Sequence, residues 1–214
     1  MKAGVGHFSY TGSDYRDWLT ANNLQDALKL GFATGLYVSF EIMEFLFIQP
    51  ELLLLGAGDA FTEDASVWGP YYGRVKYIDR ITYAAAPILI KMRFGKINIF
   101  AGPTVFLHLG NGKFILKAED EYLQYDLDFA GLNSAEYIDG VFSTFTFAAA
   151  AGVGLELPIR GRGRVITLEA RGHYIFTNVL DESQGSVFQA YGVMILAGFG
   201  INARGRELRR SRVH

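Results

Sequence analysis

The most informative absences in this sequence of 214 residues are those of cysteine and of long apolar runs. Without cysteine, the chain forms neither disulfide bonds nor thiolate metal sites. A membrane-spanning helix needs about 20 consecutive apolar residues, and the longest apolar stretch, 81–92, contains Pro87 and Lys91. Helical membrane spans are therefore excluded. Proline is scarce, with 5 residues, whereas 25 glycines, 17 phenylalanines and 12 tyrosines favour many strands with aromatic girdles.

Eight segments alternate, residue by residue, between apolar side chains and small or polar ones, which is the period of a strand with two different faces. In the segment 142–157, one face carries phenylalanine, alanine, valine and leucine, and the other carries threonine, alanine, glycine and Glu156. The segments are 2–10, 30–41, 45–56, 79–93, 97–109, 142–157, 164–177 and Tyr191 to Asn202. Most of them exceed the usual strand length of globular proteins and are long enough to cross a bilayer at a tilt.

The links between these segments alternate in length. The long links are 11–28, 56–78, 110–141 and 178–187, and the short ones are 42–45, 94–97 and 158–164. An up-and-down outer-membrane barrel has this pattern, because its tight turns face the periplasm and its long loops face outside. We therefore predict an all-β, eight-stranded antiparallel transmembrane barrel over 1–202, a short helix within 17–29, and a basic, disordered periplasmic tail over 203–214.

The chemistry of the two faces predicts which one contacts lipid. A soluble barrel would direct its large apolar side chains inward and its charges outward, but here the second face is mostly glycine, alanine, serine and threonine. Small side chains suit the narrow interior of an eight-stranded barrel, so the large apolar face is expected to contact lipid. Pro50, Pro87 and Pro103 fall inside predicted strands, where each removes a hydrogen-bond donor, and we expect a β-bulge at each of them.

Short sequences in four strands carry a family resemblance. They are Ile48-Gln49-Pro50-Glu51-Leu52, Ile81-Thr82-Tyr83 followed by Pro87-Ile88-Leu89-Ile90-Lys91, Ala101-Gly102-Pro103, and Gly152-Val153-Gly154-Leu155-Glu156. In their order and spacing they resemble the small outer-membrane β-barrel family that includes the PorT-like proteins. The resemblance covers about residues 30–200, and it implies a barrel in the cell outer membrane, in a family whose members mostly lack an assigned activity. The chain departs from the family pattern at Ala84-Ala85-Ala86, where larger and often acidic residues are common.

Several inward positions predict a polar network inside the barrel. A lone buried charge is costly, so charged lumen side chains should pair with one another or be hydrated. We expect a plug centred on Arg171 with Glu51 or Glu169, and no continuous aqueous pore. The predicted lumen network comprises Tyr37, Glu51, Lys91, Glu169, Arg171 and His173.

Other candidate sites are weaker. Aromatic residues on the long links are candidates for surface recognition: Trp18, Trp68, Tyr71 and Tyr72. Ser39, His173 and Glu169 formally supply a hydrolytic triad, but Ser39 is expected near the periplasmic end, and we predict no catalytic residues. The acidic segment 119–128 lacks the glycine-bearing spacing of a calcium loop, and we predict neither a metal nor a cofactor.

The leading hypothesis is a monomeric, non-enzymatic outer-membrane barrel with a structural role or a surface-recognition role through its outer loops. Its expected surroundings are the lipid bilayer and lipopolysaccharide, with no nucleic acid partner. One alternative is a narrow, porin-like channel or a carrier for small hydrophobic molecules. Another is a lipid-modifying outer-membrane enzyme, such as a lipid A hydrolase.

Overall fold

The computed structural model describes residues 1–21, 23–27, 29–58, 60–64, 74–110, 112–118, 136–138, 143–159, 164–179 and 189–201. Its elements, in chain order, are β1 (Lys2–Thr11), α1 (Ser13–Ala21), β2 (Gln25–Ala27), β3 (Leu30–Tyr37), β4 (Phe40–Met43), β5 (Leu46–Ala57), β6 (Ala60–Asp64), β7 (Arg74–Phe94), β8 (Ile97–His108), β9 (Gly112–Ala118), β10 (Glu136–Ile138), β11 (Phe145–Ile159), β12 (Arg164–Ile175) and β13 (Gln189–Ile201). The predicted tail at 203–214 lies outside the described residues.

Eight of these strands close into a ring of antiparallel pairs. The order around the ring is β1-β3-β5-β7-β8-β11-β12-β13, and β13 pairs back with β1. The prediction of an all-β, eight-stranded antiparallel barrel is therefore confirmed. The tight turns at 44–45 and 95–96 lie at one end of the ring, which we call the turn end, and the opposite end is the extension end.

At the extension end, half of the barrel wall continues as a second sheet. β7 is 21 residues long, and its first part, Arg74 to Arg80, pairs with β6 on one side and β9 on the other. β2 and β10 form the two edges of this sheet. We call β2, β6, β9, β10 and residues 74–80 the extension sheet.

The prediction that 56–78 and 110–141 are loops is thus wrong in part. The alternation of apolar and polar side chains changes where the barrel strands continue into the extension sheet. Val75 is buried on the inner face, whereas Arg80 is exposed on the outer face, as in an antiparallel sheet with one face in water. The strands of the extension sheet therefore lack the large apolar outer face by which the sequence identifies the ring strands.

The helix lies earlier than predicted, at 13–21 instead of within 17–29. Asn23 ends it, because this residue has a left-handed conformation with φ of 54°. The amide of Asn23 donates to the carbonyl of Thr20 and the amide of Leu24 donates to the carbonyl of Leu19, at 3.2 and 2.9 Å. This pair of bonds is a Schellman motif, in which asparagine is the usual substitute for glycine.

The prediction of a bulge at each strand proline is wrong. Pairing on either side of Pro50, Pro87 and Pro103 keeps the same register. The prolines remove hydrogen bonds instead of adding residues to a strand. The amide of Val38 donates to the carbonyl of Pro50 at 3.1 Å, but Pro50 has no N–H to donate in return. The predicted strand 30–41 is therefore interrupted at 38–39, between β3 and β4.

Candidate functional site

Four charged side chains meet in the middle of the barrel, and we call them the ion cluster: Lys2, Glu51, Glu169 and Arg171. The guanidinium of Arg171 donates from Nη1 to Glu51 Oε2 at 2.7 Å and from Nη2 to Glu51 Oε1 at 2.9 Å. Its Nη2 also donates to Glu169 Oε2 at 2.8 Å. Nζ of Lys2 bridges the same two carboxylates, at 2.6 Å from Glu51 and 2.7 Å from Glu169.

The ion cluster is neutral as a whole and shielded from solvent. Two cations balance two carboxylates, and the four side chains are at most 1% exposed. Bidentate pairing of Arg171 with Glu51 is the strongest geometry for such a contact. Aromatic rings cover both cations, because Lys2 Nζ lies 4.6 Å from the ring of Tyr37 and Arg171 Cζ lies 5.1 Å from the ring of Phe100.

The structure therefore joins Arg171 to both predicted carboxylates and adds a cation, Lys2, that lies outside the predicted network. Lys2 opens the predicted segment 2–10 but is not part of the predicted lumen network. By alternation it shares the inward face of β1 with Gly4, Gly6 and Phe8, and this pattern could have identified it.

Hydrogen bonds link the ion cluster to the turn end. Nε2 of Gln49 donates to Glu51 at 2.6 Å, and Nζ of Lys91 donates to Gln49 Oε1 at 3.3 Å. Lys91 also forms an ion pair with Glu156. Below these groups a cavity of about 780 Å³ opens at the turn end, with Tyr37 and Phe47 in its lining. The water-accessible part of the lumen therefore ends at the ion cluster.

Apolar side chains fill the lumen on the other side of the ion cluster. They form one buried group that includes Phe8, Leu53, Leu55, Tyr83, Phe106, Met194 and Leu196. The group continues to Tyr15 and Leu19 of α1, which covers the extension end. A cavity of about 20 Å³ beneath this cap is large enough for about one water molecule.

The structure places His173 in this apolar group and not among the hydrogen-bonded groups. Its ring lies 5.7 Å from that of Phe106 and 6.5 Å from that of Phe8, and neither ring nitrogen has a hydrogen-bond partner among the described residues. The formal triad is not assembled, because Lys2 and Arg171 hold the carboxylate of Glu169 and His173 contacts no hydroxyl.

The other predicted sites are only partly described. Trp68, Tyr71 and Tyr72, the candidates for surface recognition, lie outside the described residues, and Trp18 falls within α1. Within the described ranges, no group of three or more histidine and acidic side chains is placed to hold a metal ion. No helix in these ranges is long and apolar enough to cross a membrane.

The outer surface of the ring is apolar and, over most of its height, uncharged. Outward side chains are well exposed, for example Leu36 at 65% and Ile195 at 58%, which confirms the predicted direction of the two faces. Taking β7 from Ile81 onward, the outward positions of the described ring strands carry one charged residue, Arg164 at the turn end. Exposed aromatic residues lie near both ends of the ring: Phe32, Phe145, Phe147, Tyr174, Phe176 and Tyr191 at the extension end, and Phe40, Phe45, Phe94 and Phe199 at the turn end.

Comparisons with known proteins add little to this description. No family model matches the sequence, and no curated protein matches it, so the resemblance to PorT-like proteins remains an expectation. Among solved structures, the chain is similar to Ail, the attachment invasion locus protein of Yersinia pestis, with 11% identity, 92% of this chain and 94% of that chain covered, and a TM-score of 0.41. The structure of Ail in complex with the heparin analogue sucrose octasulfate gives 12% identity, the same coverage and a TM-score of 0.38. Likeness at this level carries no argument about function, and the barrel is established by the strand pairing of this chain.

Proposed function

We propose that this protein is a monomeric, non-enzymatic β-barrel of the bacterial outer membrane, with a sealed lumen and a structural or surface-recognition role. The observation that carries the proposal is the apolar outer face of the ring, on which Arg164 at the turn end is the one charged residue among the described ring strands. Exposed apolar patches on soluble monomers rarely exceed a few hundred Å², whereas here apolar side chains are exposed all around the barrel. Lipid is the environment in which such a surface is stable.

The dimensions of the ring support the same placement. The 12 residues of β8 rise about 30 Å along the barrel axis at a usual strand tilt, which matches the hydrocarbon thickness of a bilayer. The exposed aromatic residues near the two ends correspond to the interfacial girdles of outer-membrane barrels. Each of the eight ring strands pairs with a ring strand on both sides, so no second copy is needed to close the barrel.

The sealed lumen favours a structural or recognition role over transport. The ion cluster and the apolar group above it occupy the barrel from the turn-end cavity to α1. Tight turns usually face the periplasm and longer connections face outside, so the extension sheet and α1 belong on the cell surface in this proposal. The extension sheet would then be the part of the described chain that meets a partner.

Site-directed labelling tests this topology, because the chain has no cysteine of its own. We expect Arg16→Cys, on the exposed side of α1, to react with a membrane-impermeant maleimide on intact cells. Lys96→Cys, in the exposed turn at 95–96, is the matched control and should react only after the cells are lysed. Heat-modifiable migration of unboiled samples in detergent gels verifies that both variants form the barrel.

The opposite labelling pattern would invert the proposed topology. Recovery of the chain in the soluble fraction, without heat-modifiable migration, would contradict the membrane placement itself.

A further inference from the structure

A groove of about 450 Å³ lies on the outer wall of the barrel, where the ring passes into the extension sheet. Its floor consists of small residues, including Gly56 and Ala60, and its sides include Phe32 and Ile78. The ring of Phe32 lies directly over Gly56, because a Cβ at that glycine would be 2.3 Å from Phe32 Cε1. The groove therefore has an apolar side that continues into the outer face of the ring.

Three cations line the groove at its extension side: Lys29, Lys76 and Arg80. Lys29 is fixed in place, since its Nζ donates to the carbonyl of Ala57 at 2.9 Å. Lys76 and Arg80 form no ion pair within the described part of the chain. Among the described residues that line the groove none is acidic, so these residues carry a formal charge of +3 and their complement is an anion.

A shallow track leads from the groove toward the turn end. Thr82, Ala84 and Ala86 occupy successive outward positions of β7, and Leu54 pairs with Ala84 on the neighbouring strand. A row of small side chains beside an exposed leucine leaves space for a hydrocarbon chain lying against the wall.

We propose that this groove binds one molecule of a phosphorylated, acylated glycolipid of the outer leaflet, with its phosphate on Lys76 and Arg80 and an acyl chain along Ala84 and Ala86. The proposal rests on the membrane placement above, because only that placement brings lipid head groups to this height. A phosphate monoester carries close to two negative charges at neutral pH, whereas the phosphodiester of phosphatidylglycerol carries one. The three cations of the groove match the charge of a phosphate monoester better than that of a phosphodiester. The groove volume of about 450 Å³ also leaves room for a sugar ring beside the phosphate.

Native mass spectrometry of the purified, folded protein in detergent micelles tests this proposal. The probes are lipid A, its enzymatically dephosphorylated form and phosphatidylglycerol. We expect the wild-type protein to retain one lipid A in preference to both other lipids. The double substitution Lys76→Gln and Arg80→Gln should weaken lipid A binding by about tenfold or more, since each cation near a lipid surface contributes to binding.

The matched control removes two other cations, Arg16→Gln on α1 and Arg164→Gln at the turn end, and should leave lipid A binding unchanged. Thr82→Phe keeps every charge but fills the groove, and it should also weaken binding. Equal weakening by both charge-removing pairs, equal affinity for phosphatidylglycerol, or no retained lipid A would overturn the inference.

Heat-modifiable migration is measured on the same samples, so the two proposals fail separately. A folded, membrane-inserted barrel that retains no lipid A contradicts only the groove. A chain that never forms a membrane-inserted, heat-modifiable barrel contradicts the proposed function instead.

Discussion

Removal of Arg171 is the most direct test of the ion cluster. Arg171 donates three hydrogen bonds to two carboxylates, and its side chain is fully buried. In Arg171→Met, a side chain of similar length without charge, Glu51 and Glu169 would share the single cation Lys2. A net negative charge would then remain in a part of the lumen that is shielded from bulk solvent.

Breaking a buried ion pair by removing one partner usually destabilises a protein by about 3–5 kcal/mol. We expect a loss in this range for Arg171→Met. The double variant Arg171→Met with Glu51→Gln restores neutrality, because Lys2 and Glu169 remain as one pair. The double variant should therefore lose less stability than the two single variants lose together. The expected difference, which is the coupling energy, is about 1–3 kcal/mol.

The free energy of unfolding is measured by urea titration in lipid vesicles, with the gel mobility of unboiled samples as the readout. The four proteins of this double-mutant cycle are the wild type, the two single variants and the double variant. Glu51→Gln alone serves as the fourth corner, since it removes a carboxylate and keeps both cations. Wild-type stability in Arg171→Met would refute the reasoning, because it would mean that lumen water can solvate the unpaired carboxylate. Strict additivity would refute the proposed coupling between Arg171 and Glu51.

Two further predictions concern the filled lumen. Gly192→Ala should destabilise the barrel by about 1–3 kcal/mol in the same urea assay, because the new Cβ would lie 2.4 Å from the ring of Phe8. Gly172→Ala is its control and should be neutral, since the nearest heavy atoms there are 3.9 Å away. In planar bilayers the wild-type protein should show no steady ion conductance, because the ion cluster and the apolar group above it fill the lumen; steady conductance would favour the channel alternative.

The ring could be predicted from the sequence because lipid imposes one strong rule on its outer face. Every second residue of a ring strand must be apolar over the whole thickness of the membrane, and residues 145–157 show this pattern without interruption. The extension sheet obeys no such rule, so its strands resemble loops in composition. The same difference explains why the sequence predicts a link at 74–78, although these residues are part of β7.

The ion cluster was only partly predictable. Charge on an inward position identified Glu51, Glu169 and Arg171, because an unpaired charge inside a barrel is unstable. The same rule covers Lys2, an inward charge at the start of β1 that is absent from the predicted network, whereas the position of His173 does not follow from it. Which inward groups meet depends on the stagger between strands, and the pairing of Lys2 with Gly35 and Gly198 brings its amine to the height of Glu169.

Glycines in the wall explain why long charged side chains fit in so narrow a barrel. A Cβ at Gly198 would lie 3.0 Å from Cγ of Lys2, and a Cβ at Gly154 would lie 3.1 Å from Cγ of Glu169. Each glycine thus provides the space through which a member of the ion cluster reaches the centre of the lumen. The small inward face, which first distinguished this chain from a soluble barrel, and the paired charges are therefore two parts of one packing solution. The large apolar side chains point outward and contact lipid. Much of the lumen must therefore be filled by a few long side chains whose charges and hydrogen bonds are paired with one another.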